Sequence, residues 1–206
     1  LERPAVREYD TPDTPQPRVA LLGYLPYTIM VDNRGAGYSR YESLAVTRWR
    51  ADSTTDDTGQ FCYVKDLTSG RTWSVAHQPV CAPADAYRVH FATDRVTFHR
   101  LDGSIETRTE ITVVPADAAE VRRITLTNHD SSAREVEVTS YAEVVLTTPD
   151  ADRAHPAFAN LFVETEWHDW CHALFAARRP RSSTEPRVWG AHVAAVDGML
   201  VGPLSY

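Results

Sequence analysis

The chain has 206 residues and a formal charge of −7 at pH 7, with a pI near 5.6. That size suits one domain or two small ones, and the acidic balance argues against a nucleic-acid partner, because phosphate binding draws on a basic surface. Hydrophobic residues make up 43% and charged residues 24%, as in ordinary water-soluble domains, and no apolar run approaches the roughly 20 residues of a membrane helix.

The start, "LERPAVREYDTPDTPQPR", is charged and proline-rich. It lacks a signal-peptide pattern and an initiator Met, so the chain reads as part of something longer. Pro4, Pro12, Pro15 and Pro17 oppose both helix and central strand, so residues 1–18 are expected to be a linker before one β domain over 19–206. The sparse, odd set of Cys62, Cys81 and Cys171 fits a reducing, cytoplasmic setting better than a disulfide scaffold.

Strands are expected at Tyr27–Asn33, Gln60–Leu67, Thr72–Ala76, Tyr87–Phe91, Arg95–Leu101, Ile105–Val114, Val121–Asn128, Arg134–Leu146, Ala159–Trp167 and Val188–Val196. The clearest is "IETRTEITVV". Ile105, Thr107, Thr109, Ile111 and Val113 fall on one face, and Glu106, Arg108, Glu110 and Thr112 on the other. That period of two marks a half-buried strand. "REVEVTSYAEVVL" repeats it, with Val136, Val138, Ser140 and Ala142 on the inner face. Ser69-Gly70, Asp102-Gly103 and Asp197-Gly198 read as hairpin turns, and "NHDSSA" as a longer connection. Helix is considered for Pro115–Val121 and for Trp167–Arg179, where strand is preferred because Trp, Cys and His add little helix propensity. Strands recurring about every 8–12 residues predict an all-β, antiparallel sandwich or barrel. The chain stops at "VGPLSY", straight after a turn signal, which reads as a sheet continuing past Tyr206.

Between Gly35 and Gly59 the sequence sets Tyr38, Tyr41 and Trp49 among Arg40, Arg48 and Arg50, then runs into the acidic, hydroxyl-rich 52–58. "GAGYSR" lacks the third glycine and the Lys-Ser or Lys-Thr of a phosphate loop. Gly35 and Gly37 are read as turn or bulge residues, and Leu44, Val46 and Trp49 as entering the core. Other chemistry is thin. His168, Cys171 and His172 cluster without the second ligand pair that zinc usually needs. Glu164 and Glu166 share one strand face, whereas glycosidase carboxylates flank the scissile bond from opposite sides. No nucleophile elbow or Cys–His signature occurs. Tyr38, Tyr41, Trp49, Tyr63, Trp73 and Trp167 could stack on sugar rings or simply pack the β core.

The order and wording of "YTIMVDNRGAGYSRYESLAVTRWRADSTTD", "GQFCYVKDLTSGRTWSVAHQP", "RRITLTNHDSSAREVEVTSYAEVVL" and "AHPAFANLFVETEW" resemble cyclic β-1,2-glucan synthases. They look like the start of the glycoside-phosphorylase-like region of those enzymes (older name, glycosyltransferase family 36), with cellobiose and chitobiose phosphorylases as more distant relatives. The resemblance covers roughly Arg18 to Tyr206. It implies a large super-β-sandwich that in family members precedes an (α/α)₆ barrel. That barrel carries the catalytic aspartate of an inverting phosphorolysis, with inorganic phosphate as co-substrate. No catalytic residue, metal or cofactor is therefore assigned to this segment.

The implied partners are the catalytic barrel, a β-linked glucan or oligosaccharide, and a second copy in a homodimer. Any attachment of the parent to the inner membrane would come from other regions. By position, "HPAFANLF" matches the loop that in the phosphorylases reaches the neighbouring active site, which singles out Phe158 and Asn160. "GYSRY" adds Tyr38, Arg40 and Tyr41 as a sugar-facing rim. Two departures stand out. Cellobiose phosphorylases often have Gln-Arg where this chain has Ala159-Asn160, and the family usually has an Asn-Gly turn where it has Tyr24-Leu25-Pro26. A free-standing carbohydrate-binding module and a purely structural or dimerisation domain remain the alternatives.

Overall fold

The computed structural model describes residues 6–50, 58–183 and 185–206. The chain runs through β1 (Arg7–Tyr9), β2 (Val19–Tyr24), β3 (Tyr27–Asp32), β4 (Gly37–Tyr41) and β5 (Leu44–Thr47). Next come β6 (Gln60–Asp66), β7 (Thr72–Ser74), β8 (Ala86–Phe91), β9 (Arg95–Asp102), β10 (Ile105–Val113) and β11 (Glu120–Asn128). After these lie β12 (Val136–Ala142), β13 (Val144–Thr147), the helices α1 (Pro149–Ala154) and α2 (Pro156–Asn160), then β14 (Val163–His168), β15 (Ala173–Arg178) and β16 (Val188–Val193).

The described strands pair antiparallel throughout, but in four sheets. Their orders are β1-β8-β9-β10-β11, β12-β6-β7, β13-β5-β4-β3-β2 and β14-β15-β16. The expected all-β, antiparallel class holds; the strands are divided more finely than two large facing sheets would require.

β10 shows why the sheets meet where they do. Ile105, Thr107, Thr109 and Ile111 are buried, and Arg108 between them is exposed, as the alternation predicts. The two ends of that inner face enter different clusters. Ile111 and Val113 join Ala20, Leu22, Tyr27, Ile29 and Val31 of β2 and β3, with Val89, Phe91, Val96 and Phe98 of β8 and β9. Ile105 joins Val64 of β6, Trp73 of β7 and Val75, with Ile124 and Leu126 packed alongside. One face of the β1–β11 sheet therefore buries apolar area against two other sheets in succession, at about 25 cal/mol per Å².

Polar pins accompany these clusters. Arg100 and Asp102 are fully buried and paired through Nε–Oδ2 at 2.7 Å and Nη2–Oδ1 at 2.9 Å. The same guanidinium donates to the Ala76 and Ala82 carbonyls, each at 2.8 Å. Buried charge is tolerated when paired and hydrogen-bonded in this way.

Several expectations are corrected. Residues 6–18 are fastened to the domain, because β1 pairs with β8. The buried Asn33 side chain accepts from the Arg18 backbone N–H at 2.9 Å and donates to the Pro12 carbonyl at 3.1 Å. Prolines blocked a central strand but not an edge strand or these bonds to backbone carbonyls. Arg134–Leu146 divides into β12 and β13, which belong to different sheets. Val138 of β12 is 46% exposed, so its alternation does not mark a buried face.

Ala159–Trp167 begins as helix and becomes strand only at Val163. Pro115–Val121 is a turn followed by the start of β11. Trp167–Arg179 is a hairpin with a short 3₁₀ turn, so the strand preference holds for most of it. In the first hairpin Tyr24 pairs directly with Tyr27 around Leu25-Pro26, in place of an Asn-Gly turn. Asp197-Gly198 follows β16 without another described strand after it. Ala45 and Thr47 are the buried residues of β5, while Leu44 and Val46 are half-buried. The acidic run at 52–57 lies outside the described residues.

Gly37 is required for space rather than for a positive φ, since a Cβ there would collide with the Met30 carbonyl oxygen across the β3–β4 ladder. Gly37→Ala is expected to lower unfolding free energy by about 2 kcal/mol or more in urea denaturation, whereas Gly70→Ala meets no atom and strains only a turn with φ 73°.

Burial pushes the pKa of His77 and His99 below the ordinary 6.5, with Arg34 adding to the first and His90 to the second. As pH falls through 6.5, the unfolded chain takes up protons that the folded chain refuses. Their contribution is therefore complete above that pH and is lost with acidification until the lower, folded values are passed. Urea midpoints should fall between about pH 7 and about pH 5.5, and His99→Gln should flatten that slope.

Candidate functional site

Alternation along β4 decides how the aromatic stretch is displayed. Tyr38 and Arg40 lie on one face and Ser39 and Tyr41 on the other. The Arg40 guanidinium sits over the Tyr38 ring, 4.3 Å from its centre, and Trp49 meets the same ring edge-on at 5.6 Å. This is a cation–π contact continued by an aromatic edge contact. On the other face Ser39 is buried and donates to Glu120 Oε2 at 2.7 Å. Tyr27 and Arg122 also reach Glu120, and burial followed by the Glu120 charge pushes the Tyr27 phenol far above its usual range. Tyr41 is 40% exposed at the end of the strand. The rim expected from Tyr38, Arg40 and Tyr41 is thus two surfaces, with only the first two residues side by side.

Asn160 and Phe158 lie on α2. Phe158 is 53% exposed and meets Phe162 edge-on at 5.1 Å. Asn160 is held by Arg48, whose Nη2 donates to its Oδ1 at 2.7 Å. Arg48 also forks onto Asp152 of α1, through Nε–Oδ2 at 2.9 Å and Nη2–Oδ1 at 2.7 Å. It reaches Glu143 at 3.2 Å. The hydrogen bond to Asp152 holds the Arg48 pKa above its already high value. Arg178 of β15 donates to the Val145 and Ala159 carbonyls at 3.2 and 3.1 Å. The next residue after Arg48 is Trp49, so one dipeptide links the helical arm to the Trp49–Tyr38–Arg40 stack.

Arg48, Glu143 and Asp152 were not among the expected site residues. A signal for the arm was present: Thr148, Pro149, Asp150 and Asp152 form a helix start, and the Thr148 hydroxyl accepts from the Ala151 N–H. Nothing local marks Arg48, because its partners lie about a hundred positions away in the chain.

The remaining candidates are dispersed. Glu164 and Glu166 share a face of β14, where Glu164 is 3.7 Å from Arg179 and Glu166 3.5 Å from His168. His168 ends β14 with its ring against Phe175, and His172 occupies a left-handed turn position. The two therefore do not share a strand face. Among the described residues no three His, Cys, Asp or Glu side chains gather as a metal site. Four carboxyl groups are held below their ordinary range: Asp66 by the Ser69 hydroxyl, Asp94 by Arg95, Asp130 by Arg134, and Glu185 by the Arg181 backbone N–H. A cleft of about 140 Å³ beside Ser69, Arg71, Trp73 and Gly103 includes none of the rim residues. Among the described residues no helix is long and apolar enough to cross a membrane.

The sheets and their pairing define an antiparallel all-β domain. Residues 2–202 match the model of the glycosyl hydrolase 94 supersandwich domain, and the chain belongs to that family. It is 35% identical over 193 residues to the cyclic beta-(1,2)-glucan synthase NdvB of Rhizobium meliloti (strain 1021), covering 94% of this chain and 7% of that protein. It is 28% identical over 144 residues to the N,N'-diacetylchitobiose phosphorylase of Vibrio proteolyticus, covering 66% of this chain and 18% of that protein. With the Vibrio furnissii enzyme of the same name it shares 27% over 171 residues, 79% of this chain and 21% of that one. The chain thus spans between 7% and 21% of the length of these relatives.

The Tyr38–Trp49 contact can be measured by itself. A double-mutant cycle with Tyr38→Ala and Trp49→Ala in urea denaturation is expected to give a coupling of about 0.5–1.5 kcal/mol.

Proposed function

We propose that this chain is a non-catalytic β-sandwich segment of an enzyme that builds or resizes β-linked glucan, using inorganic phosphate as co-substrate. Its sheets would pack on an (α/α)₆ catalytic domain and on a second copy of the chain, and its arginine–aromatic surface would form part of a sugar-binding rim. The observation that carries the rim is the Arg40–Tyr38–Trp49 stack, which the Arg48–Trp49 peptide bond connects to the Arg48–Asn160 hydrogen bond. The stack offers flat aromatic surface, suited to sugar C–H faces, and the polar side chains of Arg40 and Asn160 suit hydroxyls. The names of the relatives, a glucan synthase and chitobiose phosphorylases, support a β-linked saccharide. Exposed apolar side chains such as Trp170, Trp189 and Met199 support a packing surface on the β14–β16 side.

A general acid for glycosidic cleavage needs a raised pKa, which disfavours Asp66, Asp94, Asp130 and Glu185 for that role, since each is lowered. Two measurements on the 206-residue chain test the proposal. No phosphorolysis of β-1,2-linked gluco-oligosaccharide should be detected; turnover would overturn it. Titration with the same saccharide at ~mM concentration, the range of weak binding, should shift backbone resonances around Arg40, Trp49 and Asn160. Shifts confined to other surfaces would remove the rim.

A further inference from the structure

Arg48 is 9% exposed and Asp152 6%, so their pairing is made largely away from water. A guanidinium offers N–H donors in a planar fork and has no acceptor. Arg48 directs these donors to Asp152, Glu143 and Asn160. Its own backbone N–H donates to the Glu143 carbonyl at 2.8 Å.

Two consequences follow from this wiring. First, α1 has six residues and α2 five, far too short to persist in water by themselves. Arg48 grips Asp152 in the first helix and Asn160 at the end of the second, and Arg178 adds a bond to the Ala159 carbonyl. Second, only an oxygen can face a guanidinium, so the side-chain carbonyl of Asn160 is committed to Arg48. Its amide NH₂ group, on an exposed residue, is left to donate elsewhere.

We infer that Arg48 is a positioning residue: it fixes the arm of residues 149–160 on the end of β5 and commits Asn160 to act as a hydrogen-bond donor. The ligand atom that Asn160 would meet is an acceptor oxygen of a saccharide, and this second half rests on the sugar-rim reading. The positioning half does not.

Amide hydrogen exchange on the 206-residue chain tests the positioning. The reporters are Asp152 N–H, bonded to the Thr148 carbonyl, and Ala159 N–H, bonded to the His155 carbonyl. Arg48→Lys keeps the charge but loses the fork, and should speed exchange at both by roughly tenfold or more, leaving β10 amides unchanged. Asp152→Asn serves as a second variant should Arg48→Lys not fold. Asn160→Asp still accepts from Arg48 and should leave exchange as in the parent chain, while Asn160→Ala should raise it. Unchanged exchange in Arg48→Lys would overturn the positioning role.

Titration with β-1,2-linked glucobiose tests the donor role. Saccharide-induced shifts of the Asn160 side-chain amide should appear in the parent chain, and Asn160→Asp should abolish binding. Full binding by Asn160→Asp would overturn the donor assignment while leaving the rim standing. Absence of binding by the parent chain would overturn the rim and the donor role together, with the exchange data still deciding the positioning.

Discussion

The buried fork between Arg48 and Asp152 is the constraint on which the placement of α1 and α2 depends. Removing two charges from water costs several kcal/mol each, and the cost is offset only by close geometry and further hydrogen bonds. Here the geometry is bidentate, and Glu143 and Asn160 supply the additional acceptors. A pairing of this kind specifies position more than it adds stability. It selects one placement of α1 and α2, because any other leaves a guanidinium or carboxylate buried alone. Trp49 follows directly and is pinned on Tyr38, so the helical arm and the aromatic stack share one origin in the backbone.

The same device recurs where sheets meet. Arg100 with Asp102 fastens β9 to the segment around Ala76 and Ala82. Glu120 gathers Tyr27, Ser39 and Arg122, joining β11 to β3 and β4. Asn33 gathers the backbone of the N-terminal segment. Apolar area supplies the non-directional drive to bury these faces. The polar pins supply direction, since a hydrogen bond weakens steeply with misalignment. Dividing the strands among four sheets creates seams between them, and these polar residues tie several.

This division explains what could be read from the sequence. β10 was legible because its face is buried along its length, so the period of two is unbroken. β12 carries a similar pattern but is exposed on both faces; alternation reports a possible face, not a partner to cover it. β4 was not foreseen as a strand, because arginines and glycines interrupt the apolar signal, whereas the β5 region was read from Leu44, Val46 and Trp49 entering the core; Gly37 is there for close backbone approach and Arg48 for a buried pairing. The helical arm was missed although Thr148-Pro149-Asp150 announces a helix start. Within the candidate site, Tyr38 and Arg40 were legible as neighbours. Tyr41 was not separable from them without knowing that β4 stays regular through that position. The tie from Arg48 to Asn160 spans 112 positions, and no local pattern encodes it.

The arrangement also bears on how such a surface would serve a saccharide. Tyr38 has one face covered by Arg40 and lies against Trp49 in a T-shaped pair, so only part of the ring is available for stacking. Among the polar side chains, the outer surface of the Arg40 guanidinium and the amide of Asn160 remain to engage a ligand. Both are donors, and both are already oriented by another contact. Preorganised donors favour oxygen-rich ligands and lose little conformational entropy on binding. They cannot deliver a proton in the way a carboxylic acid can. Such donors would orient an oxygen-rich ligand, and under the proposed reading the proton transfer would fall to groups of a separate catalytic domain.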